Sequence, residues 1–200
     1  MRSARFDTRS TGCVGLVLAA GFGRRFGSDK RLARLGDGRT LLAATLRRVA
    51  PAFDALWVVL REEDDAGLLG VPETVRVVRS GASHLGMGAS LAAGISALLA
   101  ESDADSAAIL LGDMPWIEER TLHGLVERAG AESIVLPWHE GQRGQPVIFG
   151  RAYWAALAEL EGDQGGKGVI AANPGRWVGV EVGDAGVLRD VDGVADLVGR

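Results

Sequence analysis

Apolar positions along the chain follow two spacings, one typical of helices and one typical of buried strands. In the stretch Glu118–Ala129, Leu122, Leu125 and Val126 recur at i, i+3 and i+4, the spacing of one helix face. Helices are also predicted over Thr40–Val49 and Ser90–Glu101, and strands over Val14–Ala19, Ala55–Leu60, Val75–Val78, Ala107–Leu111, Ser133–Leu136 and Pro146–Phe149. Such alternation predicts an α/β fold, with a mostly parallel sheet and helices on both of its faces.

Length and composition fit one globular domain. The chain has 200 residues, of which 47% are hydrophobic and 24% charged. We expect a flexible N-terminal extension over residues 1–12 and a single domain over residues 13–200. No apolar run approaches the roughly 18 residues of a membrane span, and the polar first residues lack the apolar core of a signal peptide. The single cysteine, Cys13, excludes an internal disulfide, which fits a reducing compartment, so we expect a cytoplasmic protein. Because the chain has no apolar span, we expect no membrane partner.

Charge is unevenly distributed along the chain. The formal net charge of −4 argues against a nucleic-acid binder, which would normally carry a basic face. Between residues 24 and 34, however, five basic residues accompany a single acid, Asp29. A basic loop in an acidic protein suggests a small anionic ligand.

The segment Ala19–Lys30, directly after the first predicted strand, is the first candidate for chemistry. It begins with two alanines and contains three glycines. Small residues let consecutive backbone N–H groups approach an anion, Arg24 could fork onto phosphate oxygens, and Lys30 supplies a mobile charge. An ordinary strand-to-helix turn with solvated charges is the alternative. Because Arg24 and Lys30 lie inside the glycine turn, we favour phosphate binding.

Two other nucleotide-binding motifs are excluded by their spacing. A dinucleotide fingerprint requires G-x-G-x-x-G, whereas Gly21, Gly23 and Gly27 follow G-x-G-x-x-x-G. A Walker A motif requires G-x-x-x-x-G-K-[ST]; the nearest string, residues 162–168, is one residue short and has Gly168 in place of the hydroxyl. An NAD-dependent oxidoreductase is therefore the weakest of the functions we consider.

Two further segments follow predicted strands, at the sheet edge where ligands bind in α/β folds. The segment Gly86–Ser90 precedes a predicted helix, and Ser90 could either cap that helix or line a base and ribose pocket. Asp113 follows the strand Ala107–Leu111. It could simply form a turn, but a carboxylate near a phosphate loop is also what Mg²⁺ requires.

The last part of the chain contains weaker candidates. Arg143 and Lys167 could bind an acceptor phosphate, or could belong to an ordinary hairpin and an ordinary helix start. Asp190 and Asp192 alternate around Val191, which predicts that both carboxylates lie on one face of a strand. A solvated edge strand is the alternative. The three histidines are too scattered to suggest a zinc site.

Several of these strings together resemble nucleotidyltransferases with a glycosyltransferase-A-like Rossmann fold. The resemblance is strongest to the MocA-like molybdenum cofactor cytidylyltransferases, a branch of the MobA-like NTP transferases. The branch motif LAAG-x-x-x-R-x-G-x-x-K is matched at Leu18–Gly21, Arg25, Gly27 and Lys30. The segment starting at Gly86 resembles the family string G-M-x-x-S-L, and the GDMP around Asp113 resembles the family's metal-binding motif.

The matches on the acceptor side are weaker. Arg143–Pro146 resembles the family string R-G-x-P, but Gln145 stands where the family often has histidine. Gly162–Gly165 resembles a G-D-x-G string. Asp190 and Asp192 resemble a D-x-D-T string that an acidic residue follows, with a glycine in place of the threonine. The identity of the acceptor is therefore left open by the motifs.

The resemblance implies a Rossmann-like three-layer fold and a set of functional residues. Catalytic roles would fall to Lys30, Arg25 and Asp113. Mg²⁺, the expected cofactor, would be held by Asp113 and by one of Asp190 and Asp192, of which we choose Asp192. The implied nucleotide-binding residues are Ala19, Ala20, Gly21, Phe22, Gly23, Arg24, Arg25, Lys30, Gly88, Ser90 and Asp113. The implied acceptor-binding residues are Arg143, Gln145, Asp163 and Lys167.

The resemblance also implies a reaction, the transfer of CMP from CTP to molybdopterin with release of pyrophosphate. The two alanines at the start of the glycine-rich segment favour CTP over GTP. A molybdoenzyme or its chaperone could then be a protein partner. Two alternatives stay open: nucleotidyl transfer to a sugar phosphate or another phosphorylated alcohol, and a non-catalytic module that binds and delivers a nucleotide.

Overall fold

The computed structural model describes residues 12–23 and 26–197. Residues 1–11, which make up most of the predicted N-terminal extension, lie outside the described residues. So do Arg24 and Arg25, two of the residues expected to bind the triphosphate.

A sheet of eight strands forms the centre of the described part of the chain. The strands are β1 (Cys13–Leu18), β2 (Ala55–Arg61), β3 (Arg76–Ser80), β4 (Ser106–Leu111), β5 (Ile134–His139), β6 (Gln142–Arg143), β7 (Val147–Gly150) and β8 (Trp177–Glu181). Their order is β3-β2-β1-β4-β7-β5-β6, with β8 also paired to β5. The pairs among β1 to β4 and the pair β5–β8 are parallel. Strand β7 runs antiparallel to both β4 and β5, so the sheet is mostly but not entirely parallel.

Helices cover both faces of the sheet. They are α1 (Leu41–Val49), α2 (Met87–Glu101), α3 (Glu119–Val126), α4 (Trp154–Ala158) and α5 (Lys167–Ala172). Buried side chains of α1 and α3 form one apolar core with one face of the sheet. Those of α2, α4 and α5 form a second core on the opposite face. The predicted three-layer α/β fold is therefore confirmed.

The six predicted strands and three predicted helices are present, with ends shifted by up to three residues. Helix α1 begins where expected, because Thr40 caps it by accepting a hydrogen bond from the Ala43 N–H at 3.2 Å. Helix α2 begins three residues earlier than predicted, at Met87. Ser90 therefore lies inside its first turn, where its hydroxyl donates to the Gly86 carbonyl at 3.4 Å, and the expectation that Ser90 caps the helix is wrong.

The strand expected around Asp190 and Asp192 is absent from the structure. Residues 189–192 are irregular and connect two short 3₁₀ turns, Ala185–Leu188 and Val194–Leu197. The buried Val191 donates its backbone N–H to the Asp113 carbonyl at 3.0 Å. This segment is therefore held against the end of β4 by hydrogen bonding and does not form an edge strand of the sheet.

Register brings the ends of the central strands together. Leu18 at the end of β1 lies beside Val59 of β2 and beside Leu111 at the end of β4. Because the strands are parallel, the loops after β1, β2 and β4 meet at the same edge of the sheet. Within the described residues, no helix is both long and apolar enough to cross a membrane.

Candidate active site

The turn after β1 presents a row of backbone donors. Ala19 continues the sheet, since its N–H donates to the Val59 carbonyl at 3.0 Å. The next four N–H groups, those of residues 20–23, find no acceptor among the described residues. Gly23 has φ +53°, a left-handed conformation that glycine adopts without strain. Consecutive N–H groups without partners are the donors that an anion-binding loop requires.

Lys30 connects this turn to the end of β4. It stands in a short 3₁₀ turn, Lys30–Leu32, that begins where the Asp29 carboxylate accepts the N–H of Arg31. Its ammonium forms a hydrogen-bonded ion pair with Asp113 Oδ2 and also donates to the Val191 carbonyl at 3.2 Å. The cationic glycine turn and the carboxylate after β4 therefore lie together, as the sequence led us to expect.

Gly112 explains how Asp113 comes so close to the turn. A side chain at this position would lie 3.0 Å from Cβ of Ala19 and 3.1 Å from Cδ1 of Leu42. The Gly112 N–H donates to the Leu18 carbonyl at 3.0 Å. Glycine thus lets the chain after β4 pack directly on the end of β1, and Asp113 follows at the mouth of the loop.

The surroundings of Asp113 suit a divalent cation. Burial raises the pKa of Asp113 above its ordinary value, and although the Lys30 ammonium opposes this, the charge of Asp190 adds to it. Oδ1 of Asp113 is buried and has no hydrogen-bond partner among the described residues. A cation would stabilise the charged carboxylate and occupy this unused oxygen.

Of the two carboxylates considered for the second metal ligand, Asp190 lies nearer to this site than Asp192, as the lining of the cavity shows. Asp190 lines the cavity that contains Asp113, whereas Asp192 is not among the lining residues. The Asp192 N–H donates to Asp196 Oδ2 at 3.1 Å. Because the segment is irregular, the expected strand alternation does not place the two carboxylates on one face, and the cavity lining favours Asp190 as the candidate ligand. The described residues contain no cluster of three or more potential metal-binding side chains, but Mg²⁺ commonly takes only one or two carboxylates plus phosphate oxygens.

A cavity of about 480 Å³, which we call the loop cavity, opens beside the glycine turn. Of the predicted nucleotide-binding residues, it is lined by Ala19, Ala20, Gly21, Phe22, Gly23, Lys30, Ser90 and Asp113. Gly88 is not among them. A Cβ atom at Gly88 would lie 2.6 Å from the Gln164 carbonyl oxygen. The Gly88 N–H donates to the Gly162 carbonyl at 2.7 Å. Gly88 thus packs α2 against the loop before α5. Ser83 and His84 also line the loop cavity and were not predicted.

A second cavity of about 620 Å³, which we call the apolar cavity, adjoins the first. All four predicted acceptor-binding residues line it, namely Arg143, Gln145, Asp163 and Lys167. Most of its remaining wall is apolar and includes Met87, Leu91, Ile109, Met114 and Phe149. Asp163 and Asp190 line both cavities, so a ligand in one can lie against a ligand in the other.

Solved structures share this architecture. A homologue of the Mycobacterium tuberculosis protein Rv0371c from Mycobacterium sp. strain JC1 is 32% identical, with a TM-score of 0.74 and 92% of each chain covered. Rv0371c itself, crystallised in complex with manganese, is 26% identical, with a TM-score of 0.69, and the match covers 87% of this chain and 90% of that one. The manganese complex shows that a similar protein binds a divalent metal.

Sequence comparison points to the same group of enzymes. The Bifunctional protein GlmU of Pseudothermotoga lettingae is 26% identical over 171 residues, which cover 82% of this chain. The chain spans only 37% of the length of that curated relative. The MobA-like NTP transferase domain matches residues 15–177, which include the glycine turn, Lys30 and Asp113. The chain therefore belongs to the MobA-like NTP transferase family of nucleotidyltransferases.

Proposed function

We propose that this nucleotidyltransferase moves CMP from CTP to a phosphorylated acceptor, molybdopterin being the first candidate, and releases pyrophosphate. The observation that carries the proposal is the contact of Lys30 with Asp113 beside a row of unpaired backbone N–H groups. Donors, a cation and a carboxylate then surround the place where a triphosphate would lie. The single buried cysteine is compatible with a cytoplasmic location, which the proposal includes.

In the proposed reaction, a phosphate oxygen of the acceptor attacks the α-phosphorus of CTP. A new phosphorus–oxygen bond forms as the bond to the β-phosphate breaks, and pyrophosphate takes that electron pair. The nucleophile is already charged near neutral pH, so a general base is not required. Catalysis then depends on alignment and on neutralising charge.

Different residues in and beside the loop cavity would have different roles in this reaction. The N–H groups after Ala19 would bind phosphate oxygens, and Lys30 would face the α-phosphate, where charge develops. Arg25, with Arg24, would hold the departing pyrophosphate; both lie outside the described residues. Ser90 and His84 line the same cavity and would contact the base and ribose.

Asp113 and Asp190 would hold Mg²⁺. The buried, unpartnered Oδ1 of Asp113 and the second carboxylate beside it fit a hard cation that takes oxygen ligands. When bound, Mg²⁺ would neutralise phosphate charge and polarise the phosphoryl oxygens. The manganese complex of Rv0371c supports a divalent cofactor for this chain.

The residues that line the apolar cavity fit a phosphorylated acceptor, and the family resemblance makes molybdopterin the first candidate. A ring system that bears a phosphate matches the apolar wall together with Arg143 and Lys167. A molybdoenzyme or its chaperone would then receive the product.

A screen for pyrophosphate release tests the proposal. The protein is incubated with Mg²⁺ and each of CTP, GTP, ATP and UTP, against molybdopterin and against a panel of sugar phosphates. We expect release with CTP and molybdopterin, and none when Lys30→Ala replaces the wild type. Release only with a sugar phosphate would keep the chemistry and change the acceptor. CTP binding without release from any acceptor would favour the non-catalytic delivery module.

A further inference from the structure

Two arginines bind three consecutive carbonyl groups of the glycine turn. Arg31 Nη1 donates to the Ala19 carbonyl at 2.8 Å. Arg61 Nε donates to the Ala20 carbonyl at 3.2 Å, and its Nη2 donates to the Gly21 carbonyl. Arg31 is 5% exposed, and Arg61 extends from the end of the neighbouring strand β2. Both arginines thus hold the backbone of the turn through its carbonyl groups, and Arg31 also lines the loop cavity.

Because each peptide group is planar, the hydrogen bonds to these carbonyl groups also set the direction of the neighbouring N–H groups. In a planar trans peptide, the carbonyl of one residue and the N–H of the next point in opposite directions. Fixing the carbonyls of residues 19–21 therefore fixes the N–H groups of residues 20–22, which point away from the arginines. These are the N–H groups that find no acceptor among the described residues.

The arginines are themselves held by two acids and a ring. Asp29 accepts from Arg31 Nε at 2.9 Å and from Nη2 at 2.6 Å. Asp64 accepts from the same guanidinium at Nη2, at 2.7 Å, and from the Arg61 backbone N–H at 2.8 Å. The Arg61 guanidinium also lies 4.2 Å above the ring centre of Phe22. Few rotamers of either arginine satisfy all these contacts.

The charges of this network offset one another. Two guanidinium groups face two carboxylates, with Arg61 Nη1 3.7 Å from Asp29 Oδ2. Such a cluster adds no net positive charge to attract a triphosphate. Its effect on a ligand therefore arises from the orientation that it imposes on the peptide groups.

We infer that Arg31 and Arg61 are positioning residues of the nucleotide site, which bind the carbonyl groups of Ala19–Gly21 and so direct the following N–H groups at the phosphates. This inference rests on the proposed function, because it explains how the proposed phosphate donors are oriented. Neither arginine needs to touch the nucleotide for this role. Preorganised donors of this kind bind an anion without first having to be ordered.

Arg61→Lys is the most direct test. Lysine keeps the charge and the aliphatic stem, but it is a point donor that cannot reach two successive carbonyl groups as the guanidinium does. Binding of Mg²⁺–CTP and of Mg²⁺–pyrophosphate is measured by titration calorimetry on the full chain, without acceptor. Arg76→Lys is the matched control, since Arg76 also pairs with an acid, Glu101, and lies 5.8 Å over a ring, Trp57, but at the opposite end of the strands.

We expect Arg61→Lys to weaken binding of both ligands about tenfold or more, the scale of a lost hydrogen bond from a charged donor. Its melting temperature should stay within roughly 2 °C of the wild type, and Arg76→Lys should bind as the wild type does. In turnover, the KM for CTP should rise while the KM for the acceptor is unchanged. A purely structural role would lower the melting temperature without this separation.

Wild-type affinity in Arg61→Lys, or an equal loss in Arg76→Lys, would overturn the inference and leave the proposed function intact. A wild type that binds neither ligand would overturn the proposed function and this inference with it. If Arg61→Lys does not fold, the same titrations are made on Arg79→Lys. That exposed side chain donates to the Arg61 carbonyl at 3.0 Å and to the Asp64 carbonyl at 2.6 Å. We expect a loss of about threefold there, and no loss would overturn the inference.

Discussion

The two cavities at the edge of the sheet differ in the groups that can bind a ligand. The loop cavity has a wall of backbone N–H groups, with Lys30 and Asp113 at its mouth. The apolar cavity has a wall of apolar side chains, with Arg143 and Lys167 among its few charged residues. The first can bind groups that every nucleoside triphosphate shares, and the second can select an acceptor by shape and by a single anionic group. Binding energy for the two substrates should therefore reside in separate sets of residues.

The largest effect should follow from breaking the ion pair at the mouth of the loop cavity. We expect Lys30→Ala and Asp113→Ala each to reduce turnover by about 100-fold or more, because each removes a preorganised charge at the reacting phosphate. Initial rates of pyrophosphate release measure this. Arg48→Ala, an exposed position at the end of α1, is the control. Turnover like the wild type in both site variants would remove the assignment of the loop cavity to chemistry.

Substitutions in the apolar cavity should change the KM for the acceptor and not the KM for CTP. We expect Arg143→Ala and Lys167→Ala each to raise the KM for the acceptor about tenfold, the cost of a lost charge-assisted hydrogen bond to a phosphate. The KM for CTP should not change. Steady-state kinetics with one substrate varied at a time provide the measurement. An equal rise in both KM values would contradict the separation of the two cavities.

Low pH should destabilise the ion pairs of Asp29 and Asp64 with the arginines that hold the glycine turn. Burial alone would raise the pKa of Asp64, but hydrogen bonds from Arg31 and the Arg61 N–H outweigh it and hold that pKa below its ordinary value. Asp29 is held below its ordinary pKa in the same way by Arg31. The folded state thus favours both ionised carboxylates. This stabilisation is complete above the ordinary pKa of about 3.9 and is lost as the pH falls through the lower folded-state values.

Asp64→Asn should remove part of this acid sensitivity. At neutral pH we expect its melting temperature to fall by about 5–10 °C, because a mostly buried ion pair is broken. The difference between the variant and the wild type should stay constant down to about pH 4 and shrink as the pH falls further, through the lowered pKa of Asp64. Melting curves by circular dichroism from neutral pH to pH 3 test this. Asp37→Asn, which disrupts an exposed ion pair with Arg39, is the matched control and should show almost no shift.

The smallest effect is expected at a residue that both cavities share. Asp163 lines both and accepts the Met87 N–H, at the start of α2, at 3.4 Å. We expect Asp163→Ala to raise both KM values together, by about two- to fivefold, because loss of this cap loosens the wall between the cavities. The same kinetic measurements show it. A change in only one KM would assign Asp163 to that cavity alone.

The sequence predicted the site best where functional residues directly follow strand ends or lie in glycine-rich turns. The glycine turn before Lys30 and the aspartate after β4 could be located because strand ends and small residues are local signals. Arg31 was counted among the five basic residues expected to attract an anionic ligand, yet it is 5% exposed and paired with acids. Its partner Asp64 is 33 residues away, and no local pattern reveals such a pairing. The strand expected around Asp190 and Asp192 is absent for a similar reason, because the chain near Val191 is held by β4 and not by a strand ladder.

Strand β8 was missed although its sequence is largely apolar. Residues 177–180 are apolar or glycine, yet four of its five residues are exposed and the other is half-buried, so β8 contributes little to the core from which the other strands were inferred. Its pairing with β5 depends on contacts far apart in the sequence. Helices α4 and α5 have five and six residues, too short for a clear helical spacing.

Equilibrium binding of CTP with and without Mg²⁺, compared between the wild type and Asp113→Asn, tests the central claim most directly. If Lys30, Asp113 and the glycine turn together bind a magnesium-bound triphosphate, Mg²⁺ should tighten CTP binding to the wild type about tenfold or more and should have little effect on the variant. CTP affinity that is the same with and without Mg²⁺ in the wild type, or an equal Mg²⁺ effect in Asp113→Asn, would contradict it.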